Sequence, residues 1–272
     1  MSCSNSSRTL LQPLYKSLPL RTSTIAKPLK AKLPLPQATR RTYAMPMSTL
    51  TMQDNWSRSD FYHNSFLVPQ EEIFDNAKKT TDNSGLPTFA AVSTSQGKFL
   101  NLIAKSVNAK RILEVGTLGG YSTIWLARAL PEDGLLVSTE LHQKHADVAK
   151  RNLTHAGVSQ KVQIVVGPAE ETLKNMKPEE NELFDLVFID ADTPNDLTYF
   201  LEAQRMTRKG GVIIVDNVIQ KGVVADPTVI DPNSEGIRKL LRHIKVDPTV
   251  EATTISTVGE KGYDGFLYAV VQ

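Results

Sequence analysis

Short aliphatic runs alternate with amphipathic stretches from residue 111 onward. The runs predict buried strands, because each is four to six residues long and bounded by glycine, proline or charged residues. The intervening stretches place apolar residues at helical spacing. The predicted strands are 111–115, 135–139, 162–166, 184–189 and 212–215, and the predicted helices between them are 120–130, 142–156, 169–176 and 195–207.

The last part of the chain predicts a helix at 234–245 and two closing strands near 250–257 and 264–271. The connection at 259–262 is short and begins and ends with glycine, as in a hairpin, so one closing strand should run antiparallel to the rest. Strand–helix alternation predicts a mostly parallel sheet with helices on both faces. The predicted fold is therefore a Rossmann-like three-layer α/β/α sandwich with a seven-stranded sheet.

Helices are also predicted ahead of the first strand. Residues 60–67 and 71–83 predict two short helices, and 95–107 carries apolar residues at helical spacing. We therefore expect one domain over residues 51–272, with N-terminal helices at 55–110 and a Rossmann-like core at 111–272.

The first fifty residues differ in charge from the rest of the chain. Residues 1–53 contain eight Lys and Arg but no Asp or Glu, although the whole chain has a net charge of +2. This composition is typical of a transit peptide, so residues 1–50 are predicted to be a disordered basic extension that directs the protein to the mitochondrial matrix. A solvated tail on a cytoplasmic protein is the alternative.

The composition also bears on which partners the protein is expected to bind and on whether it contains disulfides. The remaining chain carries an excess of acidic residues, which does not favour a nucleic-acid partner. No apolar run reaches the roughly 18 residues that a membrane span requires, so no membrane partner is expected. Cys3 is the only cysteine, which excludes disulfides within the domain.

A glycine-rich turn follows the first predicted strand. Gly116 and Gly120 lie between the acid Glu114 and a helix, but their spacing matches neither the dinucleotide fingerprint nor a P-loop. A second acid, Glu140, ends the next strand, where this architecture holds a ribose. The pattern favours a ribose-containing ligand. The alternative is that the glycines and Glu140 serve only the turn and the helix start.

Polar residues also end two later strands. Asp190 and Asp192 end the strand at 184–189, and Asp216 and Asn217 end the next. The carboxyl ends of neighbouring parallel strands meet at the ligand crevice. Two carboxylates and an amide oxygen suit Mg2+ or Ca2+, whereas zinc prefers His or Cys. Asp190, Asp216 and Asn217 therefore predict a cation site, with helix capping as the alternative.

Five motifs, in chain order VSTSQGKFL, EVGTLGGYS, GPAEETL, FIDAD and VDNV, resemble the cation-dependent class I O-methyltransferases. That family includes caffeoyl-CoA O-methyltransferases and, more distantly, catechol O-methyltransferases. Its members use S-adenosyl-L-methionine (SAM) and a divalent cation, usually Mg2+, to methylate one hydroxyl of a vicinal phenol. The resemblance covers the chain from about residue 92 and implies a small phenolic acceptor and a homodimer.

The resemblance also implies which residues bind the cofactor. Gly116 would lie under the methionine moiety of SAM, Glu140 would hold the ribose, and Ala169 would lie near the adenine. Asp190 would be close to both SAM and the metal. The full set of implied cofactor-binding residues is Val92, Ser93, Glu114, Gly116, Ser122, Glu140, Ala169, Asp190 and Asp192. Gln96 stands where plant members have glutamate.

One position departs from the family pattern. Many members have a lysine immediately after the aspartate pair, thought to act as general base, and this chain has Thr193. Either the cation alone activates the acceptor, or another base serves, for which Lys221 is a candidate by position. Asp190 and Lys221 are thus the predicted catalytic residues. The plant insertion Asp-Asn-Thr-Leu-Trp is also absent, which favours small free phenols over a coenzyme A thioester.

The predicted function is methyl transfer from SAM to a hydroxyl of a catechol-like acceptor. A phenol with a pKa near 10 is mostly protonated at neutral pH, and chelation by a dication lowers that pKa. Two alternatives stay open. One is a SAM methyltransferase with another acceptor, and the other is a SAM-binding protein with little catalysis.

Overall fold

Seven strands form one sheet at the centre of this computed structural model, which describes residues 50–272. The predicted basic extension, with its transit-peptide function and mitochondrial address, lies outside the described residues. The strands are β1 Arg111–Val115, β2 Leu135–Glu140, β3 Val162–Val166, β4 Phe184–Ile189, β5 Thr207–Val215, β6 Val250–Gly259 and β7 Gly262–Val271.

The sheet has the strand order β3-β2-β1-β4-β5-β7-β6. Strands β1 to β5 pair in parallel, and β7 runs antiparallel to both β5 and β6. The predicted Rossmann-like sheet, with one antiparallel strand near the C-terminus, is therefore confirmed. The chain leaves β1 towards β2 on one side and reaches β4 on the other, so the crevice for a ligand lies at the carboxyl end of β1.

Helices cover both faces of the sheet. They are α1 Met52–Leu67, α2 Glu72–Asn83, α3 Thr94–Ser106, α4 Tyr121–Ala127, α5 Gln143–His155, α6 Ala169–Asn175, α7 Asp196–Met206 and α8 Pro232–Ile244. Side chains of β1 alternate between two cores, with Ile112 packed against residues of α2 to α5 and Leu113 against residues of α6 to α8. This alternation is what a strand buried on both faces requires.

Two elements, α1 and β5, begin well before their predicted first residues. Helix α1 begins at Met52 instead of residue 60, because Thr51 and Asp54 form a capping box at its N-terminus. Strand β5 begins at Thr207 instead of residue 212, directly after α7, and Thr207 pairs with Phe184 before a shift in register. Among the described residues, no helix is both long and apolar enough to cross a bilayer.

Helix α1 buries none of its side chains fully and contacts the tip of the β6–β7 hairpin. The side-chain amide of Gln53 donates to the carbonyl of Gly259 at 2.9 Å. The carboxylate of Asp60 accepts from the backbone N–H of Glu260 at 2.9 Å. These bonds hold the hairpin tip over the carboxyl edge of the sheet.

Candidate active site

A cavity of about 1030 Å³ opens at the carboxyl ends of β1, β2, β4 and β5. Its volume is at the upper end of the range for small-molecule sites. Most of the predicted site residues line it together: Val92, Ser93, Gly116, Ser122, Glu140, Ala169, Asp190, Asp192, Asp216 and Asn217. Glu114 and Lys221 are the predicted site residues that do not line it.

The glycine turn after β1 lies against the end of β4. Gly116 has a φ of +103°, and a Cβ at this position would lie 2.0 Å from the backbone oxygen of Asp190. Only glycine therefore fits. The close approach brings the two parts of the predicted site, the turn and the acidic strand end, into one wall of the cavity.

Glu140 ends β2 and is nearly buried in the cavity wall. One carboxylate oxygen accepts from the backbone N–H of Leu118 at 2.8 Å, and the other accepts from that of His142 at 2.9 Å. The ring of His145 lies 3.2 Å from the second oxygen. The carboxylate is thus fixed in orientation beside the glycine turn, as a residue that holds vicinal hydroxyls must be. The sequence analysis missed the two histidines.

Glu114 lies behind the turn instead of in the cavity. It is fully buried, and its carboxylate accepts from the hydroxyls of Ser122 at 2.6 Å, Thr123 at 2.5 Å and Ser138 at 2.6 Å. Burial raises the pKa of Glu114 to about 7, although these three hydrogen bonds act in the opposite direction. Glu114 is therefore not placed for the direct contact with SAM that the resemblance implied. Glu114 instead orients Ser122.

Asp190 and Asp216 end neighbouring parallel strands, β4 and β5, whose register pairs Ile189 with Val215. Burial, followed by the charge of Asp216, raises the pKa of Asp190 well above its usual range. Burial likewise raises the pKa of Asp216 to about 7. The two acids repel each other in a poorly hydrated place, which is the environment that a cation stabilises.

Asn217 completes this end of the cavity. It has a φ of +60°, and its side-chain nitrogen donates to Asp264 at 3.5 Å, while its side-chain oxygen has no hydrogen-bond partner among the described residues. Asp264 also accepts from the backbone N–H groups of Ile219 and Gln220 at 3.1 and 2.9 Å. Residues 262–265 lie within β7, and Asp264 lines the cavity, a role that sequence analysis missed.

Within residues 50–272, no three His, Cys, Asp or Glu side chains form a group that fits a metal ion. The predicted ligand set does not require such a group, because it contains two carboxylates and one amide. Water and acceptor oxygens complete the shell of a hard cation in sites of this kind.

Asp192 and Ser93 are two further predicted residues that line the cavity. Asp192 accepts from the phenol of Tyr199 and the amide of Asn195, both at 2.5 Å. Ser93 forms a capping box with Gln96 at the start of α3, since each side chain accepts from the other's backbone N–H. Gln96 is thus a capping residue that also faces the cavity.

The two residues considered as bases lie elsewhere. Thr193 begins a short 3-10 segment, and its backbone oxygen packs against Gly236 of α8. Lys221 is exposed, with a φ of +58°, in the segment Gln220–Ala225 that leads away from β5. The structure therefore does not bring the predicted base Lys221 to the acids.

The fold and the cavity define a Rossmann-like α/β protein with a ligand site at the carboxyl edge of its sheet. A family model described as O-methyltransferase matches residues 64–264. The chain belongs to this O-methyltransferase family, which confirms the predicted family and the prediction of an enzyme.

Individual relatives agree with this assignment. A catechol O-methyltransferase from Mycobacterium tuberculosis is 44% identical over 224 residues, which cover 82% of this chain and 99% of the relative. TomG from Streptomyces achromogenes, an O-methyltransferase involved in tomaymycin synthesis, has a crystal structure in complex with SAM and is 42% identical to this chain. The two structures match with a TM-score of 0.79 over 82% of this chain and 100% of TomG. An O-methyltransferase from Bacillus cereus in complex with SAH is 43% identical with a TM-score of 0.78, over 81% and 100%.

Proposed function

We propose that the protein transfers a methyl group from SAM to one hydroxyl of a small catechol-like acceptor held beside a divalent cation. One observation carries this proposal. A single cavity contains a fixed ribose-type carboxylate, Glu140, at one end and the paired carboxylates of Asp190 and Asp216 at the other. The strand ends that supply them flank the glycine turn.

The cofactor end supports SAM as the methyl donor. The turn at Gly116 allows close approach of a ligand, and Glu140 presents oxygens for a ribose. Solved relatives that are more than 40% identical are described with SAM or SAH bound. SAM carries a sulfonium-bound methyl group, so the chain needs only to align it with the acceptor oxygen.

The acidic end fits a divalent cation. Asp190 and Asp216 have raised pKa values, and neither forms an ion pair among the residues described. A hard dication such as Mg2+ would relieve their repulsion and accept the carbonyl oxygen of Asn217 as a third ligand. Bound there, the cation would supply the electrostatic stabilisation that lowers the pKa of an acceptor hydroxyl.

The residues of the chain perform the remaining work. Glu140 and the turn at Gly116 hold the donor, and the aromatic side chains of Tyr121 and Phe266 add apolar surface to the lining of the cavity. Asp190 links the two ends of the cavity, because its backbone packs on Gly116 and the charge of Asp216 acts on its carboxylate.

A catechol-like acceptor is proposed for two reasons. Two neighbouring hydroxyls can chelate a cation held by Asp190 and Asp216, and the relative from Mycobacterium tuberculosis is named for catechol. A homodimer is proposed as well. Its support is the exposed aromatic side chains of α1, where Phe61 and Phe66 are 63% and 72% exposed.

Methyl transfer from labelled SAM to a panel of catechols and matched monophenols tests the proposal, with Mg2+ and with EDTA. We expect turnover on catechols that EDTA removes and that added Mg2+ restores. Turnover that EDTA leaves unchanged, or equal turnover on monophenols, would contradict the role of the cation and favour another acceptor.

A further inference from the structure

The turn of the β6–β7 hairpin carries a lysine into the cavity. Lys261 follows Glu260 in the two-residue connection between the strands, and Gly262 has the positive φ, +96°, that closes this turn. Lys261 lines the same cavity as Asp190 and Asp216, although 45 residues separate it in the chain from Asp216.

Three hydrogen bonds fix the tip of the β6–β7 hairpin and the side chain of Lys261. The backbone N–H of Glu260 donates to Asp60 of α1 at 2.9 Å. Gln53 donates to the carbonyl of Gly259 at 2.9 Å. The ammonium of Lys261 itself donates to the backbone oxygen of Phe89 at 2.6 Å. These contacts hold Lys261 in the lining of the cavity.

The charge of Lys261 acts on the acidic end of the cavity. Its positive charge favours the ionised forms of both Asp190 and Asp216. No carboxylate of the described residues lies within the 4.0 Å of an ion pair with it. The ammonium thus acts on the two acids across the cavity that all three residues line, without forming an ion pair with either.

The surroundings of Lys261 favour loss of its proton. Partial burial lowers the pKa of Lys261, and the positive charge of Lys78 acts in the same direction, while Glu260, Asp190 and Asp216 oppose them. A dication bound by the two acids would lower the pKa further, because like charges repel. Asp60 also faces this turn, and its carboxylate is engaged by Glu260.

Other basic groups of the cavity are placed for other contacts. The ammonium of Lys78 lies 4.8 Å from the centre of the Tyr121 ring and 3.3 Å from the hydroxyl of Thr94. His142 and His145 lie beside Glu140, at the donor end.

We propose that Lys261 is a catalytic residue whose amine accepts the proton of the acceptor hydroxyl. This inference rests on the proposed function. The O–H bond breaks and the proton goes to Nζ, while the oxygen forms a bond to the methyl carbon of SAM. The carbon–sulfur bond breaks, its electron pair stays on sulfur, and the positive charge of the sulfonium is replaced by that of the lysine ammonium.

The test compares Lys261→Met and Lys261→Arg with the wild-type protein and with Lys239→Met, an exposed lysine of α8 outside the cavity. We expect both Lys261 variants to lose about 10²–10⁴-fold in kcat at pH 7.5, the usual contribution of a general base. Lys239→Met should keep the wild-type rate. SAM affinity, measured by calorimetry, should be unchanged in all variants.

The pH profile separates proton transfer from a charge or packing role. The wild-type rate should reach a plateau above the pKa of Lys261, whereas the Lys261→Met rate should continue to rise as free hydroxide replaces the amine. Added primary amines should restore part of its activity. Wild-type activity in Lys261→Arg, which keeps the charge but cannot act as the base, would overturn the proposal.

Failure of this inference is distinguishable from failure of the proposed function. A wild-type protein with cation-dependent turnover, together with undiminished Lys261 variants, would refute Lys261 alone. A large loss in Lys221→Met with none in Lys261→Met would also refute it, since the base would then be the exposed lysine. Absence of turnover on catechols in the wild type would instead refute the proposed function.

Discussion

At the scale of single residues, Gly116 joins the two halves of the site. A side chain there would meet the backbone oxygen of Asp190 at 2.0 Å, and the positive φ of +103° adds strain for any residue with a Cβ. The glycine turn and the end of β4 therefore touch through backbone atoms. A substitution at Gly116 must therefore disturb both the glycine turn and the end of β4.

Replacement of Gly116 by alanine should lower the free energy of unfolding by about 2–4 kcal/mol and abolish measurable SAM binding. Gly157→Ala is a matched control, because Gly157 also has a positive φ, +69°, but nothing lies within 4 Å of its added Cβ. It should cost only about 1 kcal/mol and leave SAM affinity intact. Urea unfolding and calorimetry measure both quantities. Wild-type SAM affinity in Gly116→Ala would disprove the close contact.

Residues whose roles follow from local sequence were predictable. Gly116, Glu140, Asp190 and Asp216 each lie at or directly after the end of a strand, and these ends meet at one edge of a parallel sheet. Lys261 and Asp264 were not, because they reach the cavity only through the pairing of β6 with β7. A turn signal gives no information about where a hairpin tip docks. The position of Lys221 after β5 was misleading for the same reason.

At the scale of elements, the ends of β4 and β5 concentrate negative charge in a poorly hydrated place. Asp190 and Asp216 have raised pKa values there, and burial raises the pKa of Asp196, at the start of α7, to about 8. The folded protein binds more protons at these groups than the unfolded chain does. The contribution of these three groups to stability is therefore greatest below the unfolded pKa of about 4 and is lost as pH rises through about 7 to 8.

Without a cation, the protein should melt at least about 5 °C lower at pH 8 than at pH 5.5. Mg2+ should raise the melting temperature at pH 8 and have little effect at pH 5.5, where protons occupy the same carboxylates. Asp216→Asn, which cannot ionise, should show a smaller pH dependence and a smaller response to Mg2+. Differential scanning calorimetry measures these shifts. A melting temperature that does not fall with pH would contradict the placement of the acids.

The elements themselves were largely predictable, since buried strands give the strongest sequence pattern. The start of α1 was not, because a helix without fully buried side chains has no apolar periodicity to mark it. The start of β5 was misplaced because Gly210 and Gly211 resemble a turn. In the structure, pairing of Thr207 with Phe184 keeps the segment in the sheet.

At the scale of the whole molecule, the sheet, the glycine turn and the C-terminal hairpin enclose one cavity with two chemically distinct ends. In the proposed function, Glu140 marks the donor end of the cavity and Asp190 with Asp216 marks the acceptor end. Helix α1 contributes by holding the hairpin through Gln53 and Asp60. In the proposed function, donor binding and cation binding are separate functions of these two ends.

Calorimetric titration of SAM into the wild-type protein, Asp216→Asn and Glu140→Gln tests this claim most directly. If the two ends act separately, Asp216→Asn should keep the wild-type affinity for SAM within about threefold. Glu140→Gln should lose at least tenfold in that affinity, and a factor of ten corresponds to about 1.4 kcal/mol. If Asp216→Asn lost SAM affinity as severely as Glu140→Gln, the two ends would not act independently, and the account of the cavity would be wrong.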